Sequence, residues 1–303
     1  MIKFLLGFFS YLLLSLTTTA YGALIYTPSN LKADKANLVV VVHGCLQSPE
    51  SMALGTGWNQ IADKNNLVIL YPQIPEGSNP IGCWNWYLPE NQRADMGQLK
   101  NLHNQIKSVQ NLLQLKNPNI YLAGISSGAT TVAGLISCFP NEFTAAGIHS
   151  APSYGLASNL FQSDRVLKEG PPENRPQTPC RPQDFKGSVI LIHGAEDKMV
   201  NPKNTAQVIA DFASGTKSLP PKEMKEGSIS YQVIDYWDSN SVKLRYVNLE
   251  GIGHSWAGFV KNLRYGSLQG PDSKNPTQVP FFNKEGPSST NLMWDFFSRT
   301  KTN

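Results

Sequence analysis

Charge is scarce in this chain. Lys, Arg, Asp and Glu make up 16% of its 303 residues, and the formal net charge is +4. Disordered chains combine high net charge with low apolar content. Here hydrophobic residues reach 41%, enough for one large buried core. Lys and Arg form no dense cluster, so the basic face needed to track a phosphate backbone is missing, which speaks against nucleic acid as a partner. Cysteine is confined to Cys45, Cys83, Cys138 and Cys180. No C-x-x-C pair occurs among them, which argues against zinc sites and thioredoxin-like redox chemistry. Internal repeats are absent, as is any composition break that would mark a second domain. A single domain over residues 23–303 is the expectation.

Long apolar runs are also missing, with one exception. Met1-Ile2-Lys3 places a positive charge ahead of an almost unbroken apolar run from Phe4 to Leu16, and small residues follow from Thr17 to Gly22. A run of about 13 residues falls short of the ~20 that cross a bilayer. The pattern is that of a secretory signal peptide over residues 1–22. Cleavage after Gly22, with Ala20 three places before the cut, is the preferred reading; cleavage after Ala20 is the alternative, and an uncleaved anchor the rival. The mature chain is then secreted, extracellular or periplasmic, with no stable membrane insertion. Export makes the four cysteines candidates for disulfides. Three pairings are possible; Cys45–Cys83 with Cys138–Cys180 is the sequential guess, though the sequence does not choose and free buried thiols remain an alternative.

Apolar runs at residues 38–42, 67–71, 119–125, 145–149 and 188–192 read as strands buried on both faces, the kind found in parallel sheets. Helical periodicity covers 51–65, 98–115, 129–138, 205–214 and 289–299. Residues 231–249 alternate like strands, with a break near 238–240. Segments 73–92, 151–186 and 271–287 are rich in Pro, Gly or Asn and read as loops. Strands alternating with helices predict a mostly parallel central sheet flanked by helices, with its functional groups at the strand ends.

The strand 119–125 runs into Gly124-Ile125-Ser126-Ser127-Gly128, a G-x-S-x-G pentapeptide followed by a helix. A serine on a sharp strand-to-helix turn is the nucleophile elbow of the α/β-hydrolase fold. The pentapeptide alone is weak evidence; the strand before it and the helix after it carry the reading, against a bland tight turn. A serine hydroxyl needs a general base, and the base needs an acid to orient it, in the chain order Ser, Asp or Glu, His. Asp197 follows the strand 188–192, and His254 lies in the glycine-rich turn Gly251-Ile252-Gly253-His254. Glu196, Asp184 and Asp235 are weaker acid candidates. His193 reads as structural, and His149 as a group near the site. For the oxyanion, the backbone N–H groups of Ser127 and of Cys45, in His43-Gly44-Cys45, are the candidate donors. A plain strand-ending turn is the rival reading of His43-Gly44. Trp84, Trp86 and Trp256 fall on loops and could line an apolar cleft for the acyl or alcohol part of an ester, with core packing as the competing role.

Together, Val42-His43-Gly44-Cys45-Leu46-Gln47-Ser48, Gly55-Thr56-Gly57-Trp58-Asn59, Leu70-Tyr71-Pro72, Gly82-Cys83-Trp84-Asn85-Trp86, the serine elbow and Gly253-His254-Ser255-Trp256 resemble the polyhydroxybutyrate depolymerase family of esterases. That family includes feruloyl and acetylxylan esterases. The resemblance implies an α/β-hydrolase fold, a Ser126–Asp197–His254 triad, an oxyanion hole at Cys45 and Ser127, and no metal or organic cofactor. It implies hydrolysis of poly- or oligo(3-hydroxyalkanoate) or related esters, with feruloyl or acetylxylan esters as the alternative. The chain departs from the family at the elbow, where Ser-Ala-Gly-Gly is common and Ser126-Ser127-Gly128-Ala129 stands here. A serine peptidase of this fold, and a non-catalytic binding protein on a hydrolase scaffold, are the rival functions. If the leader reading holds, the intact mass of the exported protein corresponds to a chain starting at Ala23; retention of residues 1–22 would contradict it.

Overall fold

Side-chain alternation along the apolar strands sends neighbouring residues to opposite faces of one sheet. In β3 (Asn37–Val42), Leu38, Val40 and Val42 join one core, while Val39 and Val41 join the other. Both faces are buried, which is why these runs are uniformly apolar. The structure is a computed structural model and describes residues 22–258 and 281–300, together with the backbone of 16–18.

Across the sheet the order is β1 (Leu16–Thr18), β2 (Leu24–Tyr26), β4 (Leu67–Tyr71), β3, β5 (Ile120–Ile125), β6 (Ala145–His149), β7 (Ser188–Gly194), β11 (Val242–Leu249), β10 (Ile229–Trp237) and β8 (Lys217–Ser218). A further strand, β9 (Lys222–Glu226), pairs with β10. From β4 through β11 every neighbouring pair is parallel. The strands outside that block are antiparallel. A mostly parallel sheet flanked by helices is therefore observed, as expected.

One face of the sheet is covered by α3 (Gly97–Leu112), α4 (Ser127–Cys138) and α6 (Asn204–Phe212), through Leu102, Ile106, Val132, Ile136 and Val208. The other is covered by α1 (Pro49–Gly55), α2 (Trp58–Asn65) and α7 (Ser289–Phe297), through Met52, Trp58, Ala62, Met293 and Phe297. A short parallel pair, β12 (Trp256–Ala257) with β13 (Phe282–Asn283), stands apart from the main sheet.

Two expectations need correction, and one strand was not anticipated. The helix expected over 51–65 is two helices, because Gly57 takes φ 80° between α1 and α2. Both bury the same side, so the apolar spacing runs unbroken through the turn. The loop expected over 151–186 contains α5 (Leu160–Glu169), capped by the Asn159 side chain accepting from the Gln162 N–H. The prolines there flank the helix and do not enter it. Strand β9 has no apolar periodicity because every residue in it is exposed. The expected leader lies outside the described residues, apart from Gly22 and the backbone of β1, which pairs with β2. Residues 271–280 of the last expected loop also lie outside.

The disulfides are Cys45–Cys83 and Cys138–Cys180, the sequential pairing. The second joins the end of α4 to a residue 42 positions later, just ahead of β7. Closing a loop of that size restricts the unfolded chain by up to about 4 kcal/mol in the chain-entropy picture. The Cys138→Ala/Cys180→Ala double variant should therefore unfold at a clearly lower temperature while keeping its far-ultraviolet circular dichroism; an unchanged midpoint would contradict this.

Candidate active site

Ser126 sits between β5 and α4 with φ 57° and ψ −129°. A non-glycine residue in this region stores roughly 1–3 kcal/mol of strain, which only a well-determined surrounding can hold. The surrounding is made by backbone contact. A Cβ on Gly124 would lie 2.8 Å from the Gly128 carbonyl carbon, and one on Gly128 would lie 2.3 Å from the His43 oxygen. The two glycines of the pentapeptide thus let the first turn of α4 press onto the ends of β5 and β3. Gly44 has the same function on the other side, where a Cβ would be 3.1 Å from the Ser126 Cβ. The Ser126 N–H donates to the His149 carbonyl at the end of β6, at 3.0 Å.

Asp197 and His254 follow the carboxyl ends of β7 and β11, which are paired in register from Val189 with Leu244 to Gly194 with Leu249. Beyond the strands the two loops stay joined. The Ala195 N–H donates to Leu249 and the Glu196 N–H to Ile252, at 2.8 and 3.0 Å. Gly194 permits this, since a Cβ there would meet the Ile252 oxygen at 2.3 Å. The outcome is a hydrogen bond of 2.7 Å between His254 Nδ1 and Asp197 Oδ2. The other carboxylate oxygen accepts the Met199 and Val200 N–H groups at 2.9 and 2.8 Å. Burial opposes ionisation of Asp197, but the hydrogen bonds from His193, His254 and Val200 outweigh it and hold the carboxyl well below the usual carboxylate range. Glu196, next in sequence, is exposed. Asp184 belongs to a short turn ahead of β7, and Asp235 pairs with Arg245 on β11.

His193 and His149 are wholly buried. His193 Nε2 lies 3.0 Å from the Val200 carbonyl and 3.4 Å from Asp197 Oδ2, bracing the acid turn. His149 touches the Ser150 and Ser289 hydroxyls through its two nitrogens, both at 3.0 Å, and stacks on Trp256 at 5.4 Å. Burial, with His193 and His254 nearby, lowers the His149 pKa from 6.5 to about 3. Burial likewise lowers that of His43 to about 4.

The tryptophans expected to line a cleft are packed instead. Trp256 has no exposed surface, and its indole N–H donates to Thr290 Oγ1 at 3.1 Å. Trp84 is buried beside the His43 ring, and Trp86 packs with Leu156, Ala157 and Val166. Loop position hid this, because the partners that bury these rings lie far away in the chain. Among the described residues, Leu46, Ile81 and Met199 are exposed apolar groups at this edge, each more than half exposed at 56%, 52% and 53%. The Leu46 N–H donates to the Ile81 carbonyl at 2.9 Å, and Met199 stands two residues past Asp197. Sequence reasoning missed all three, and also Phe281, whose ring meets His254 edge-on at 5.4 Å. Cys45 and Ser127 are neighbours: their side chains meet at 3.4 Å, Sγ to Oγ.

Residues 21–216 match the family described as Esterase PHB depolymerase. The chain belongs to that family. Its match contains Ser126 and Asp197 and ends before His254. Acetylxylan esterase A of Emericella nidulans is 23% identical over 268 residues, spanning 80% of this chain and 86% of that protein. A polyhydroxybutyrate depolymerase of Talaromyces funiculosus is 41% identical over a shorter stretch of 87 residues, 25% of its length. Among solved structures, the acetyl xylan esterase from Aspergillus awamori superposes with a TM-score of 0.61 at 18% identity, covering 77% of this chain and 88% of that one. The fold is that of the α/β-hydrolases, and this family member is a carboxylic ester hydrolase.

The esterase's stability should fall on acidification. His43 and His149 stay neutral when folded, yet take up a proton below about pH 6.5 when unfolded, so the unfolded state binds more protons there. Each costs roughly 1.4 kcal/mol per pH unit below 6.5, and neither has an effect above it. Asp197 adds a further loss only below the usual carboxylate range. Thermal midpoints measured from pH 8 to 5 should be level down to about 6.5 and then drop; a flat profile to pH 5 would contradict the assignment.

Proposed function

We propose that Ser126, His254 and Asp197 form the catalytic triad of this esterase. The observation that carries the reading is the 2.7 Å bond from His254 Nδ1 to Asp197, set at the same sheet edge as the strained Ser126 elbow. With Nδ1 held by the acid, Nε2 is the nitrogen left to take the proton from Ser126 as its oxygen attacks the ester carbonyl. Asp197 remains ionised and stabilises the imidazolium that forms. The tetrahedral intermediate places its negative oxygen against the backbone N–H groups of Cys45 and Ser127. His254 then protonates the departing alcohol, and water, deprotonated by the same imidazole, releases the acyl group from Ser126.

The substrate favoured is an ester of apolar character, such as a poly- or oligo(3-hydroxyalkanoate), because Leu46, Ile81 and Met199 offer an apolar surface at the site edge. A second reading, acetylated or feruloylated polysaccharide, is supported by the match to an acetylxylan esterase across 80% of the chain. Two disulfides suit an oxidising compartment outside the cytoplasm, in keeping with an exported enzyme.

Ser126→Ala should lower kcat on p-nitrophenyl butyrate by about 10⁴-fold or more without loss of fold. Residual wild-type rates in that variant, or failure of a fluorophosphonate to label the native protein, would remove Ser126 from its role. Comparing 3-hydroxybutyrate oligomers, acetylated xylan and methyl ferulate separates the two substrate readings, with the highest kcat/KM expected on the oligomers.

A further inference from the structure

We propose that the Cys45–Cys83 disulfide, gripped by the Ser127 hydroxyl, fixes the spacing between the two backbone donors of the oxyanion hole, which makes the side chains of Cys45, Cys83 and Ser127 positioning groups for ester hydrolysis. The proposal rests on the assignment of those donors above. The two N–H groups belong to residues from distant parts of the chain, one after β3 and one at the start of α4. Their side chains nevertheless touch, Cys45 Sγ lying 3.4 Å from Ser127 Oγ. A disulfide sulfur carries no hydrogen, so Ser127 donates and the sulfur accepts. Ser127 itself is buried, and its carbonyl accepts the Thr131 hydroxyl at 3.0 Å within α4. The hydroxyl therefore links a rigid helix start to the loop that bears the other donor.

The loop from Gly44 to Gln47 needs such a link. Leu46 is held at φ 61°, and no helix or strand supports it. The Gly44 N–H donates to Gln47 Oε1 at 2.9 Å, an internal brace that does not tie the loop to the elbow. Ties to the turn that carries Cys83 hold it from outside. Leu46 donates to Ile81 there, and Asn79 Oδ1 accepts the Ile81 and Cys83 N–H groups at 3.0 and 3.2 Å. The bridge thus connects a braced turn to the donor loop, and Ser127 connects the bridge to the elbow. The second disulfide lies at the other end of α4, 11 residues or about 17 Å from Ser127, and no hydrogen bond joins it to the elbow among the described residues.

Alanine at these positions keeps every backbone N–H, so any effect reports positioning alone. Displacing an oxyanion donor without deleting it should lower kcat while leaving KM in place. The expected result for Cys45→Ala/Cys83→Ala is a fall in kcat of about 10- to 100-fold with KM within about twofold. Ser127→Ala should lower kcat by a few-fold. The triple variant should be no slower than the double, because the hydroxyl acts only through the bridge. Cys138→Ala/Cys180→Ala should lose thermal stability and keep its kcat. Multiplying effects in the triple variant, an unchanged kcat in folded Cys45→Ala/Cys83→Ala, or an equal kcat loss in the second bridge's variant would each overturn the proposal. If Cys45→Ala/Cys83→Ala does not fold, Ser127→Ala with kcat and KM both unchanged overturns it alone. Ser126→Ala distinguishes the levels: retained activity there refutes the site assignment itself, whereas a dead Ser126→Ala with multiplying effects refutes only the positioning.

Discussion

Everything at this site depends on backbone meeting backbone at the top of β3, β5 and α4. Side chains normally keep such segments apart. Gly124, Gly128 and Gly44 remove that spacing at three points, and Ser126 is left in a conformation that its own preferences oppose. The strain is held by a hydrogen bond from its N–H to His149 and by the helix that begins at the next residue. A serine placed on a relaxed loop would have many rotamers and many positions. Here the main chain has one.

Asp197 and His254 are positioned differently, by a sheet register continued beyond the strands. β7 and β11 end together, and their following loops remain hydrogen-bonded through Ala195 and Glu196. Asp197 and His254 therefore approach as parts of two parallel strands and their joined loops, although 57 residues separate them. Electrostatics follows from the geometry. The Asp197 carboxylate is buried, which on its own favours the neutral acid, and four donors around it reverse that preference.

How much of this was legible in the sequence depends on range. The buried strands were readable because β-branched runs such as Leu38 to Val42 admit few other structures. The pairing of Asp197 with His254 was readable as two loops following strands, and the two cysteine pairings matched the simplest guess. What failed was long-range or two-faced. Trp256 sits beside His254 in the chain, and nothing local says whether its ring turns outward or into the core; Thr290 and His149, distant in sequence, decide it. Helix α5 was obscured by the prolines at its borders. Phe281 reaches His254 from a segment that carries no motif.

The network around His149 draws together segments far apart in the chain. The His149 carbonyl accepts the Ser126 N–H while its imidazole meets the Ser289 hydroxyl, and that hydroxyl also accepts the Ala257 N–H just past His254. Thr290 reaches the Thr56 carbonyl and the Trp256 indole. The first turn of α7 therefore gathers segments that lie between 32 and 234 residues earlier in the chain. A chain cut off ahead of Ser289 would still contain Ser126, Asp197 and His254 but would lack the hydroxyl that joins His149 to the backbone of Ala257.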